Sequence, residues 1–385
     1  MAGMQTLASR PDSDWLDILS RLPADLDLNR LARDTLAIQR LRGITDAADL
    51  LRLGLARGPG RKTLKQTAAW AAMNGIADLS APSLSDRLHH SVAFFSAVTS
   101  RLLAAGRSAT PTLWHGRCLH LCDGSSLSQR GSTGTDWRIH ATYDLGSGRF
   151  SHLEVTDGQG GEALSRTVCD DGGVMIADRG YAKAGEMAAL RSGSAGRPRD
   201  FIVRTGWNML RLEGLDGKTF DLIGALRQMQ QAPQPDPLNQ PREWTVQALY
   251  GRDKKTRRLP IRLVVLPLPP EKAEIARNKV RRSGSKRQKQ VDPRSEVAAG
   301  FMVLATSLPA AIPANEICAV YRLRWQIELA FKRLKSLIGI DRLPTRTEAG
   351  SLSWLYPHLI LALLSDDICQ EMGIPFTQVP ELEGC

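Results

Sequence analysis

Three acidic residues hold the chemistry this chain can offer, which is that of fixed negative charge. Asp123 follows the short apolar run LHLC and precedes Gly-Ser-Ser, and Asp178 follows VMIA and precedes Arg-Gly-Tyr. Acids often end strands because turns follow, so neither is decisive alone. Glu328 sits in a denser pattern. The segment YRLRWQIELAFKRLKSLIG sets Tyr321, Arg324, Glu328 and Lys335 at offsets 0, 3, 7 and 14. At about 100° per residue these four fall within a roughly 60° arc of one helix. Leu323, Ile327, Ala330, Leu334, Leu337 and Ile338 occupy a separate arc, the one expected to pack on a sheet. A carboxylate between two cations and a phenol, beside a core-facing stripe, is costly unless charge is needed there. The bland alternative is a solvated face with i,i+4 pairs such as Glu328–Lys332.

The elements that must position these residues are readable in order. From Asp12 to about Ala105 the pattern is helical, with DWLDILSRL, LNRLARDTLAIQRL and ITDAADLLRLGLARG as amphipathic segments. Asp46 is a cap for the third, and Gly58-Pro59-Gly60 ends it. TLKQTAAWAAMNGIADLSAPSLSDRLHHSVAFF predicts a helix, a turn at Gly75 and a second helix from near Ser83. That helix-turn-helix shape would offer Ser83, Ser85, Asp86, Arg87 and His90 to DNA, although most helix pairs joined at a glycine bind nothing. After Pro111 the texture changes. RCLHLCD is a short strand. WRIHATYDL alternates, with Ile139, Ala141, Tyr143 and Leu145 on one face, and RFSHLEVTD follows the turn Gly146-Ser147-Gly148. GEALSRTV reads as a helix, VMIAD as a buried strand, KAGEMAALRS as a helix and FIVRT as a strand.

This β-β-β-α-β-α-β series matches the ribonuclease-H-like fold, in which the first and fourth strands are neighbours. Asp123 and Asp178 would then converge at one sheet edge, each at a strand end. The strand-like runs EWTVQALY and RLPIRLVVLPL predict a mostly β insertion over 206–300. FMVLATS then leads into one long helix from about Ile317 to Ile338, followed by the helix SLSWLYPHLILALLSDD and a short tail. The expected division is 1–110 helical, 111–205 first part of the core, 206–300 insertion and 301–385 the rest of the core.

Charge singles out the insertion. The chain has a formal net charge of +11, and residues 251–290 hold fourteen Lys or Arg against three Asp or Glu, so the whole excess lies there. Such a segment, with Lys254, Lys255, Arg257 and Arg258 at its head, suits a polyanion. A solvated basic loop is the alternative, and interleaved apolar runs such as LPIRLVVLPL argue against it. Hydrophobic content of 42% and charged content of 24% suit an ordinary globular protein. No run of eighteen apolar residues suggests a membrane span, and the first residues do not read as a secretory signal. Six scattered cysteines, among them Cys118 and Cys122, lack zinc-like spacing and read as reduced thiols of a cytoplasmic protein.

The spacing Tyr-x2-Arg-x3-Glu-x6-Lys, with CDGSSLS around Asp123 and IADRGYA around Asp178, resembles the signature of bacterial insertion-sequence DDE transposases of the insertion-sequence-four branch. The resemblance runs from about Leu113 to Pro344. It implies an α/β, ribonuclease-H-like catalytic core, a β-rich insertion domain between the second and third acids, and an N-terminal all-helical DNA-binding region. The activity implied is metal-dependent cleavage and strand transfer at the terminal inverted repeats of an insertion sequence, by cut and paste. Two Mg²⁺ ions about 4 Å apart, with Mn²⁺ as a substitute, would be held by carboxylates. By resemblance Asp123 bridges the two, and Asp178 and Glu328 each hold one. Tyr321, Arg324, Lys335 and Arg179 would grip phosphates near the cleaved end. The implied partners are double-stranded DNA, as terminal repeats and as target, and a second copy in a homodimeric synaptic complex at a bacterial nucleoid.

Two departures from the family stand out. Forty-seven residues follow Ile338, where relatives often have a longer part that pairs subunits. Members can also hold a flipped base against an aromatic, for which Trp207, Trp244 and Phe301 are the choices, each also readable as core. Two other functions remain open: a ribonuclease-H-like nuclease without strand transfer, and a non-catalytic DNA-binding protein derived from a transposase. The complete set of acids and helix positions counts against the latter.

Overall fold

Alternating apolar strands need both faces covered, and here helices cover them. The structure is a computed structural model of the 385-residue chain. It describes residues 11–39, 43–44, 46–106, 112–193, 196–231, 240–251, 255–286, 288–337 and 342–371. Six helices come first: α1 (Pro11–Ser20), α2 (Leu28–Asp34), α3 (Ala47–Arg57), α4 (Leu64–Met73), α5 (Ala81–His90) and α6 (Val92–Ala105). Their starts follow local chemistry. Asp27 and Asp46 accept backbone N–H groups at the heads of α2 and α3, and Thr63 forms a reciprocal capping box with Gln66 at α4. Gly75 does lie in the turn of the expected pair, at φ +65°. The second helix starts two residues earlier than Ser83, because Ser80 caps it and Pro82 fits its first turn.

The strands are β1 (Leu119–Gln129), β2 (Trp137–Asp144), β3 (Arg149–Asp157), β4 (Val174–Ala177) and β5 (Asp200–Arg204), with α7 (Ala184–Ser192) before β5. Next come β6 (Arg211–Glu213), α8 (Leu222–Gln231), β7 (Arg242–Tyr250), β8 (Arg257–Pro267), α9 (Pro270–Lys286) and α10 (Pro293–Ala299). The chain continues through β9 (Phe301–Thr306), α11 (Ala314–Arg322), α12 (Trp325–Leu337), β10 (Arg342–Leu343) and α13 (Glu348–Glu371). β1, β2 and β3 form the expected antiparallel meander, β4 lies parallel to β1 and β5 parallel to β4. The order across the sheet is β3-β2-β1-β4-β5-β9-β8-β7-β6, with β10 beside β1. No described helix is long and apolar enough to cross a membrane.

One face of this mixed sheet, with Leu119, Leu121, Ile139, Tyr143, Ile176 and Ile202, shares a core with α2–α6 and α11–α13. The other face, with Met175, Ala177, Phe201, Val203 and Leu263, packs under α7 and α8. Burial on both sides explains why β2 hides its polar face as well: His140, Thr142 and Asp144 are as buried as Ile139, Ala141 and Tyr143.

The sequence expectations need four corrections. β1 runs six residues past Asp123, because Gly-Ser-Ser pairs with β2 (Ser125 opposite Ile139) instead of turning. GEALSRTV makes a single 3-10 turn, Leu164–Arg166. The insertion holds α8, α9 and α10 as well as strands, and β6–β8 extend the main sheet through β9. The long helix is two helices. α11 packs on β8 and α12 on β1, and bonds of i→i+3 type between Val320 and Ile327 make the break. No glycine or proline announces it, so the divergent supports of the two halves decide it.

Candidate active site

The parallel pairing of β1 and β4 brings the first two acids together. Cys122 is opposite Ala177, so Asp123 and Asp178 are the next residues on adjacent strands. By the pleat, Asp123 shares its face with Leu119 and Leu121, the face that α12 covers. The break at Leu323–Arg324 leaves Tyr321 at the end of α11 and Glu328 in the first turn of α12. Tyr321 Oη donates to Asp178 Oδ1 at 3.2 Å, and Arg324 Nη2 meets Glu328 Oε1 at 2.7 Å. Arg204, opposite Asp178 at the end of β5, brings Nη1 to 3.8 Å from Asp178 Oδ1. Of the four residues expected beside the acids, Tyr321, Arg324 and Arg179 are near them. Lys335 lies on α12 about two turns beyond Glu328, and its side chain is outside the described residues.

Burial, more than neighbouring charge, sets the electrostatics here. Burial pushes the Asp123 carboxyl up from 3.8 to about 6, against the Gly124 N–H and the Arg324 charge, and Glu162 and Glu328 raise it further. Burial and the Asp178 charge push the Tyr321 phenol up, so it stays a proton donor. Burial and Arg204 lower the Arg179 guanidinium. Three carboxylates are hard oxygen donors, and the cost of burying a charged Asp123 is what a divalent cation would relieve, so the residues fit such an ion. Their oxygens are not all within 4.8 Å of one another. Among the described residues that spacing is met by His120, Asp144 and Asp170, a separate group on the other face of β1. There His120 Nδ1 is 3.6 Å from Asp144 Oδ2 and Nε2 is 3.4 Å from Asp170 Oδ2.

A cavity of about 670 Å³ opens beside Asp178, lined by Arg179, Arg204, Trp207, Lys272, Lys279 and Phe301 among others. Trp207 gives its Nε1–H to Ser295 at 3.2 Å, and Arg294 lies 4.3 Å over its ring. Trp244 instead packs on Phe220.

The basic segment is divided in space. α9 supplies Lys272 and Lys279 to this cavity. The β7–β8 turn lies at the other end of the sheet. Arg257 pairs with Tyr250, seven residues along β8 from Val264, which is level with Leu304 and Arg204. That separation is roughly 23 Å of strand. Lys254 falls outside the described residues, and Lys255 and Arg257 lie in this turn. Arg258 is tied to Glu213 at 2.7 Å. Arg262 is buried and donates to the carbonyls of Leu308, Pro309 and Ile312, so it holds the fold together.

Sequence reasoning missed Arg204 and Glu162. Arg204 could have been found from strand order, since it ends the strand beside Asp178. Glu162 had no local signal.

A family model described as the transposase DDE domain matches residues 114–364. A protein named as transposase InsL for insertion sequence element IS186A of Escherichia coli K12 is 36% identical over 359 residues, 93% of this chain and 94% of that one. The transposase for insertion sequence element IS421 of Escherichia coli is 36% identical over 360 residues, with the same coverage of both chains. A piggyBac transposase synaptic complex with hairpin DNA aligns with 98% of this chain and 70% of its own at a TM-score of 0.38 and 9% identity, a likeness too loose to carry an argument. With a family model matching most of the chain and relatives matching nearly end to end, the chain belongs to the DDE transposases of insertion sequences, DNA-cleaving and strand-transferring enzymes.

Proposed function

We propose that this transposase cuts and rejoins DNA at the terminal inverted repeats of its own element, with Asp123, Asp178 and Glu328 as the catalytic metal ligands in a ribonuclease-H-like core. The observation that supports it best is the adjacency of Asp123 and Asp178 on parallel strands under the helix of Glu328. Two divalent ions, Mg²⁺ with Mn²⁺ as substitute, would activate an attacking oxygen and stabilise a leaving one. Asp123 and Asp178 on adjacent strands and Glu328 on the helix above them would be the residues that hold these ions. Tyr321 orients Asp178 through its hydroxyl. Arg324 holds Glu328 and presents its remaining N–H groups to a phosphate, as Arg179 and Arg204 do from beside Asp178, and Lys335 is assigned the same role from the sequence pattern alone.

The cavity beside Asp178 suits the terminal nucleotides. Its cations face phosphates, and Trp207 and Phe301 wall a space large enough for a base turned out of the helix. Lys255, Arg257 and Arg258 would hold the duplex farther out, with Lys254 assigned to the same role from the sequence alone, and α5 would read the repeats from the N-terminal region. Two copies would bring two ends together.

The reading is tested by Asp123→Asn, Asp178→Asn and Glu328→Gln. Each keeps shape while removing the charge that binds a cation. Each is expected to abolish Mg²⁺-dependent cleavage and leave repeat binding within a few-fold, because Lys and Arg dominate phosphate contacts. Substantial cleavage by the Glu328→Gln protein would overturn the assignment.

A further inference from the structure

Glu162 stands in the loop after β3, remote in sequence from all three acids, yet its carboxylate lies close enough to Asp123 to raise its pKa and sits against the residues that follow both sheet acids. A Cβ placed on Gly124, the residue after Asp123, would sit 3.2 Å from Glu162 Oε1. A Cβ placed on Gly180, two residues after Asp178, would sit 1.7 Å from Glu162 Oε2. The carboxylate is therefore seated against the backbones that follow both sheet acids, in space that any side chain at 180 would take. Neither glycine has the positive φ that would itself demand glycine, so what they provide here is room. The loop is tied down: Lys183 Nζ donates to the Glu162 carbonyl and Arg138 Nη1 to that of Gly160 at 3.0 Å.

Among the described residues no ion pair involves Glu162, and the nearby Arg138, with Cδ 3.5 Å from the same Gly124 position, makes none with it. A half-buried carboxylate pressed toward a buried aspartate repels it, and that arrangement is stable at low cost when a multivalent cation lies between them.

We infer that Glu162 is a fourth acidic residue of the metal centre, bound to the cation held by Asp123 and Asp178 either directly or through one of its waters. The inference rests on the metal-ligand reading of Asp123 and Asp178. Two glycines keep its seat open, and the tethered loop presents its oxygens to the cation from the side opposite α12.

The test measures Mn²⁺ binding to the full-length protein without DNA, by electron paramagnetic resonance of free Mn²⁺, for wild type and for Glu162→Gln, Gly180→Ala and Asp123→Asn. Glu162→Gln is expected to weaken Mn²⁺ binding about tenfold. It should also raise the Mg²⁺ concentration for half-maximal cleavage to a similar extent, with a circular-dichroism melt in EDTA no lower than that of wild type. Gly180→Ala, which displaces the same carboxylate without removing it, should weaken Mn²⁺ binding in parallel. Wild-type Mn²⁺ affinity in a folded Glu162→Gln protein would overturn the inference while Asp123→Asn still lost binding. Retention of binding by Asp123→Asn as well would overturn the parent reading instead. A Glu162→Gln protein with altered melting and unaltered Mn²⁺ affinity would make Glu162 a structural wedge, against the inference.

Discussion

At the scale of single residues, the hydroxyl of Tyr321 is already engaged. It donates to Asp178, so under the proposed reading its contribution is to aim a carboxylate more than to grip a phosphate. A hydrogen bond to a charged acceptor contributes ~1.5–3 kcal/mol, which corresponds to at least about tenfold in rate if it acts in the reacting state. Tyr321→Phe should therefore slow cleavage tenfold or more while duplex affinity stays within about threefold. Equal losses in both assays would return Tyr321 to phosphate binding. Asp123 makes a prediction about stability. Its carboxyl is raised to about 6 in the folded protein from the ordinary 3.8, chiefly by burial. The metal-free native state thus holds more protons than the unfolded chain between about pH 4 and 6, and stability falls as pH rises through that window. Above it a constant cost of about 3 kcal/mol remains. Asp123→Asn in EDTA should melt above wild type at pH 7, with the gap closing toward pH 4. A gap of constant size would show that the charge is not its cause.

At the scale of elements, the basic segment separates into two surfaces. α9 faces the cavity by Asp178 with Lys272 and Lys279, and the β7–β8 turn lies roughly 23 Å away along the strands. Each phosphate released from a cation lowers the slope of log affinity against log salt by about 0.9. Lys272→Ala with Lys279→Ala should flatten the slope by roughly 2 and also slow cleavage, because the contacts lie next to the reacting strand. Lys255→Ala with Arg257→Ala should flatten the slope and leave the cleavage rate of bound DNA unchanged. Salt titrations with single-turnover cleavage separate the two, and slower cleavage from the turn variant would place DNA differently. The break between α11 and α12 belongs to this scale too. Four residues on one straight arc read as one surface, but the structure turns Tyr321 toward Asp178 from α11 and Arg324 toward Glu328 from the junction before α12.

At the scale of the molecule, the N-terminal helices share their core with the catalytic sheet. α13 packs on α3, α5 and α6, and Phe94, Phe95 and Val98 join the cluster that holds Leu359 and Ile360. A chain beginning near residue 110 would expose that face of α13, about 25 cal/mol for each Å² of apolar surface uncovered. Such a truncation should fail to give a cooperative melt, so recognition of terminal repeats is better tested in the intact fold. Ser83, Asp86 and His90 are exposed on α5. Replacing them with Ala should reduce preference for terminal repeats over random duplex, with the melt unchanged. Retained preference would move recognition to the insertion.

The amino-acid sequence by itself determined the acids, their order and the strands that hold two of them. A two-residue period and an apolar run ending in an acid are local facts that any packing must respect. It also determined where the excess charge lies, since charge is counted along the chain. Only the tertiary structure decided that Gly-Ser-Ser continues β1, because strand pairing outweighs a turn-like composition. It decided that the insertion's strands prolong the main sheet and that Arg204 stands beside Asp178, through pairings between distant segments. It also decided that Glu162 reaches the two glycines behind the acids. Each of these depends on contact between segments whose separation in sequence carries no periodic trace, so chain closure alone creates it.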